Sequence, residues 1–273
     1  MSLLLYDVNK EQREKISREN ERRTVIMKKM ISLILVLALA LCMVPVFAEE
    51  EAAEEETSEL ALMTYAEYAE AEIDAPVYVE TYVQATQYFN EEYGNTSIYA
   101  QSEDGAYFVY RLGCTKEEAE KLVPGTKIAV KGFKAMWPEV NGEVEITDAT
   151  IEILEADPFI AEVEDVTEKV GTDELAESMN KRVVFKGLTV VAQEDGAAVN
   201  YKNNEEKTGD IYFTAAKDGK EVKFCVETDL CNEETDVYAT VGALKVGDVI
   251  DVESFLYWYE GANPHVVSVT VAQ

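Results

Sequence analysis

One histidine, two tryptophans and six prolines serve all 273 residues, and 24 lysines and arginines stand against 54 acidic side chains. The lone histidine, His265, removes most nucleophilic and general-base chemistry, because no Ser–His or Cys–His pair can be built without it. It lies in Asn263-Pro264-His265, where a turn residue with a polar tip is expected. Beyond residue 48 only Cys114, Cys225 and Cys231 remain, and none has metal-ligand spacing. No glycine-rich phosphate cradle is present. Asp104-Gly105 and Asp195-Gly196 precede no calcium-loop ligand series, so hairpin turns explain them. Carboxylates are so abundant that a pair of them carries no signal for glycoside hydrolysis. The expectation is a protein with no catalytic residues, no metal and no cofactor.

The shortage of positive charge narrows the partners. The formal net charge is −30. It becomes about −33 from Glu49 onward, since residues 1–48 hold eight basic and five acidic side chains. Such a field repels phosphate backbones and favours solubility and cations, so nucleic acid is a disfavoured partner.

Long apolar runs are also missing, with one exception. Met27-Lys28-Lys29, the run Ile31 to Val44 and Val46-Phe47-Ala48 before Glu49 have the basic start, apolar centre and small −3 and −1 residues of a secretory signal peptide. The run is short for a membrane span. Cleavage near Ala48 and a secreted, extracellular location are therefore expected, with no membrane contact afterwards. Residues 1–26 read as an over-extended start before Met27, or else as a long charged region ahead of the signal. Residues 49–63 are acidic and Ala-rich and read as a disordered spacer. An odd cysteine count leaves at least one thiol unpaired. Cys225 and Cys231 either close a small loop or stay free.

What the chain does have is a stretch that occurs twice. Leu122, Gly125, Ile128, Val130 and Phe133 each recur 122 residues later, as Leu244, Gly247, Ile250, Val252 and Phe255. Each copy is a Gly turn that launches an alternating strand. Around the first copy, strands are expected at Val77 to Ala85, Thr96 to Ala100, Ala106 to Arg111, Lys127 to Ala135 and Glu143 to Leu154. Thr115 and Glu118 form a capping box that opens a helix between the third and fourth strands. Thr64 and Glu67 form another, ahead of the first strand. Around the second copy, strands are expected at Arg182 to Ala192, Asp210 to Ala216, Glu221 to Glu227, Val249 to Tyr259 and Pro264 to Ala272. A polar loop over Gln193 to Gly209 and a helix over Thr235 to Val241 complete that copy, and Thr172 caps a short helix before it. Offsets between matching residues only grow along the chain, with each jump in a loop or near the helix, as in a duplicated domain with loop insertions.

Three strands, a helix and two strands is the element order of the OB-fold, a five-stranded Greek-key barrel, and each half of this chain resembles a small bacterial OB-fold domain. The expected fold is all-β with short helices, in two tandem five-stranded OB-like barrels over residues 64–157 and 158–273. The resemblance implies ligand binding on the face of strands two and three and by the loops joining strands one–two and four–five. Those corners carry Tyr88, Phe89 and Tyr93, then Trp137, then Tyr257, Trp258 and Tyr259. Trp137, Tyr88, Tyr257, Trp258, Tyr259 and His265 are the candidate ligand-binding residues, with packing in a barrel or a seam as the alternative for each tryptophan. The expected function is non-catalytic recognition of an extracellular carbohydrate, peptide or surface protein. The alternative, implied by the family, is oligonucleotide binding, against which stands a lack of Lys/Arg on the strand two–three face, where Arg111 is isolated.

Overall fold

The computed structural model describes residues 60–272. The segments expected to be an over-extended start, a signal peptide and most of the spacer lie outside the described residues. No helix among the described residues is long and apolar enough to cross a membrane.

Helix α1 (Tyr65–Glu70) comes first, capped by Thr64 with the reciprocal Glu67 bond. The first barrel follows: β1 (Pro76–Thr86), β2 (Asn95–Gln101), β3 (Ala106–Gly113), helix α2 (Lys116–Ala119), β4 (Lys127–Trp137) and β5 (Glu143–Leu154). The strands close in the order β1-β2-β3-β5-β4, with β1 returning to β4 and β3 running parallel to β5. Alternation drives this closure. Val77, Val79, Thr81 and Val83 of β1 all point inward, and Ile98, Val109, Ile128, Val130 and Ile146 meet them in one buried cluster. Tyr65 and Tyr68 of α1 lie edge-on to Tyr107, so the helix covers one end of that core. Lys134 fastens it: its Nζ donates to the carbonyls of Tyr68, Ala69 and Ala71 at 3.0, 2.8 and 2.8 Å.

The connection to the second half is held down. The Gln84 amide donates to the carbonyls of Tyr82, Gln101 and Phe159, and its oxygen accepts from Ala161 N–H at 2.9 Å. One side chain of β1 thus pins residues 159–161 against the first barrel.

The second half contains β6 (Glu164–Asp165), β7 (Arg182–Val191), β8 (Val199–Asn203), β9 (Thr208–Lys217), β10 (Lys220–Val226), helix α3 (Asp236–Gly242), β11 (Val249–Phe255) and β12 (His265–Val271). Five of these repeat the first barrel: β7 pairs with β9 and β11, β11 with β12, β9 with β10, and β10 runs parallel to β12. The parallel closure of the third and fifth strands in both halves is the OB arrangement. The fold is therefore two tandem closed five-stranded barrels with few short helices.

Three local expectations change. The loop over Gln193 to Gly209 holds β8, paired to β9 as a ribbon; its alternation Val199-Asn200-Tyr201-Lys202 was masked by polar neighbours. The fourth strand of the second barrel stops at Phe255, not Tyr259, because Phe255 and Leu256 are both buried and break the two-residue period. The helix expected after Thr172 is a 3-10 turn over Asp173–Ser178, and the Thr172 hydroxyl bonds back to Lys169 O instead of capping it. Cys114, Cys225 and Cys231 are free thiols.

Candidate binding surface

The face of β2 and β3 that the OB architecture offers to ligands does not look into solvent. Tyr99 of β2 and Phe108 of β3 point out of the first barrel and into the second. Tyr99 stacks on Phe255 with ring centroids 4.5 Å apart, and Phe108 meets Tyr257 edge-on at 5.5 Å. Tyr257 in turn stacks on His265 at 4.3 Å. The outcome is an aromatic seam between the barrels.

Polar contacts lock the same seam. Tyr99 OH and His265 Nδ1 are 2.7 Å apart, and His265 Nδ1 lies 3.0 Å from Glu227. Gln87 Nε2 donates to Glu227 at 2.5 Å, and Tyr88 N–H donates to Asp229 O at 2.6 Å. Asn180 Nδ2 donates to Val144 O, and Arg182 N–H to Gln101 Oε1. The Trp258 backbone N–H donates to Glu143 and its indole Nε1–H to Asn141 Oδ1. Glu143 has no exposed surface, and its Oε1 has no hydrogen-bond partner. Burial pushes this carboxyl well above the usual carboxylate range, and burial likewise pushes Glu145 up to about 7, opposed by Arg111.

These contacts place the sequence-derived candidates. His265 is 5% exposed and opens β12, so it is a seam residue and not the turn residue expected of it. Tyr257 and Trp258 are half-buried in the seam. Tyr259 makes a bridge with Gly142 across it. Trp137 ends β4 opposite Glu143 and is half-buried. Tyr88 alone of the six keeps half of its surface, at 50% exposure. The reason is geometric: the four–five corner of the second barrel turns toward the first, where Tyr257 meets Phe108 and Trp258 bonds to Glu143 and Asn141.

What stays open is the rim beside Tyr88. The loop between β1 and β2 also carries Tyr93, 64% exposed. Arg111 of β3 sits over it, with Cζ 5.9 Å from the Tyr93 centroid and 5.0 Å from that of Tyr110. A bulge produces this pose. Thr96 pairs with Leu112 and Ile98 with Val109, so Ser97 faces two residues, Tyr110 and Arg111. Arg111 takes the left-handed conformation, φ +48°, and its N–H donates to Ser97 Oγ at 3.2 Å. A non-glycine residue in that region costs about 1–3 kcal/mol, a strain that clusters at functional positions. Arg111 stands out in the sequence only for its isolation; the bulge that re-aims it has no sequence signature beyond a break in alternation at Tyr110-Arg111.

No family model and no curated protein matches the chain. Solved structures do. The crystal structure of the tetrameric p202 HIN2 is 12% identical, with a TM-score of 0.32, and the match covers 74% of this chain and 98% of that one. The fission yeast Pot1 structure with ssDNA is 9% identical, with a TM-score of 0.31, covering 75% and 86%. The Replication Protein A heterotrimer bound to ssDNA is 12% identical at 0.29, covering 72% of this chain and 49% of that one. The two tandem barrels resemble OB-fold domains. At these values the likeness is one of architecture.

The expectation of a carbohydrate, peptide or surface-protein ligand at the aromatic corners, with nucleic acid disfavoured, is corrected. Tyr257, Trp258 and His265 are committed to the seam. The net charge of −30 belongs to the whole chain, whereas the open rim carries tyrosines and a cation.

Proposed function

We propose that this chain is a non-catalytic protein that binds short single-stranded nucleic acid through its bases, at the rim formed by Tyr88, Tyr93, Tyr110 and Arg111. The observation that carries the reading is the strained bulge that holds Arg111 over two tyrosine rings on the OB ligand side. Aromatic faces stack unpaired bases with about 1–3 kcal/mol per base, and an arginine plane adds to the stack. Single strands fit this site because bases inside a duplex do not offer their faces. A chain of net charge −30 gains little from phosphate contacts, so base stacking has to supply most of the affinity. The non-catalytic part is supported by the position of His265, whose Nδ1 is engaged inside the seam. We also propose an extracellular location, supported by the segment from Met27 to Ala48 alone, which a mass-spectrometric N-terminus at Glu49 would test.

Fluorescence anisotropy with a labelled dT octamer tests the binding. It should bind at low salt and lose little affinity as salt rises, with a log–log slope near about −0.7 for one phosphate contact. The Tyr93→Ala and Arg111→Ala proteins should bind several-fold more weakly. Failure of the single strand to bind at millimolar protein, or a steep salt dependence shared with duplex, would overturn the reading.

A further inference from the structure

The second barrel brings an acidic residue, Asp229, against the loop that carries the rim tyrosines. The Asp229 carbonyl accepts the Tyr88 N–H at 2.6 Å, which brings residue 229 against the β1–β2 loop. The Asp229 side chain is exposed and lies in the electrostatic reach of Arg111. Partial desolvation and the nearby Glu227 and Asp210 hold its carboxyl above the usual range, while Lys202 and Arg111 pull it down. Glu145 feels Arg111 as well. Arg111 thus lies in the field of two carboxyl groups.

We infer that this rim selects guanine: the Asp229 carboxylate accepts the N1–H and N2–H of a base stacked on the tyrosines beside Arg111. The inference rests on the single-strand reading above and deepens it. The chemistry follows from the base edges. Guanine presents two adjacent donors on its pairing edge, which match the two oxygens of one carboxylate. Adenine and cytosine each set a single donor beside a ring-nitrogen acceptor, and thymine sets one donor between two carbonyls, so each meets a carboxylate with repulsion as well as attraction. A carboxylate-lined stacking site also explains how so acidic a chain takes a nucleic acid: the base edge is attracted where the phosphate is not.

The test uses labelled d(TGTGTG), d(TITITI), d(TATATA) and d(TCTCTC), where I is inosine, which lacks the N2 amine. The wild-type protein should bind the guanine strand about tenfold more tightly than the adenine or cytosine strands, with inosine in between, the range of one good hydrogen-bond pair. In Asp229→Asn the guanine advantage should shrink to about threefold or less while binding to the other strands persists. Among the described residues the Asp229 carboxylate makes no hydrogen bond, so the variant is expected to fold, and the inosine comparison needs no variant. Equal binding of all four strands overturns the guanine inference and leaves base stacking standing. A guanine advantage that survives in Asp229→Asn also overturns it. No binding of any strand overturns the single-strand reading and this inference with it.

Discussion

The backbone N–H of Trp258 donates to Oε2 of Glu143 at 2.7 Å, so a buried carboxyl of the first barrel anchors the four–five corner of the second. The other oxygen of that carboxyl has no partner. Burial raises this carboxyl well above the usual carboxylate range, and the hydrogen bonds from Trp258 and Asn180 oppose that rise.

Stability should fall as pH rises through the weakly acidic range. Glu145, buried beside the same seam, has its folded-state pKa raised from 4.5 to about 7. A carboxyl raised on folding costs nothing while both states are protonated. It begins to cost once the unfolded chain ionises near 4.5, and the full cost is reached above about 7. That cost is about 3 kcal/mol for such a shift. Glu143, raised in the same direction by burial, adds a cost of the same sign. Urea unfolding across pH 4.5–8, followed by Trp fluorescence, should show the slope in the wild type and a flatter one in Glu145→Gln and Glu143→Gln. An unchanged slope in both variants would refute the assignment.

Tyr99→Phe separates the seam from the binding rim. It keeps the ring stacked on Phe255 and deletes the hydroxyl that meets His265. The loss should be about 1–3 kcal/mol of stability, since a buried ring nitrogen gives up a partner. Oligonucleotide affinity should stay within twofold of wild type, because Tyr99 has no exposed surface. A large affinity loss without a stability loss would place the ligand inside the seam.

Gly105→Ala should detach α1. A Cβ at this position would lie 2.0 Å from the Tyr65 ring, so the ring must move off Tyr107. Amide exchange over residues 64–71 should accelerate in the variant while the strands of the second barrel stay protected. Unchanged protection of α1 would show that the ring finds another seat.

Gln84→Met tests the pinned connection. The substitution keeps the bulk and removes both the acceptor for Ala161 N–H and the donor to Phe159 O. Proteolysis should then cut near residues 158–161, and stability should drop by about 1–3 kcal/mol. Resistance equal to wild type would mean that Phe159, packed against Tyr82, holds the segment by itself.

The sequence by itself determined the two barrels. Period-two alternation, Gly turns at Gly125 and Gly247, the Thr115–Glu118 and Thr64–Glu67 capping boxes and the 122-residue offset are local signals, and local signals set strands, turns and helix starts. Only the tertiary structure decided what the aromatic residues do. Whether Trp258, Tyr257 and His265 meet a ligand or another barrel depends on which faces the two halves turn toward each other, and no residue spacing encodes that. The pose of Arg111 depends on a pairing register that places two residues opposite Ser97. Asp229 lies beside the tyrosine loop only because its carbonyl, 141 positions from Tyr88, accepts the Tyr88 N–H. Contacts between distant parts of the chain made the seam and left the tyrosine rim open.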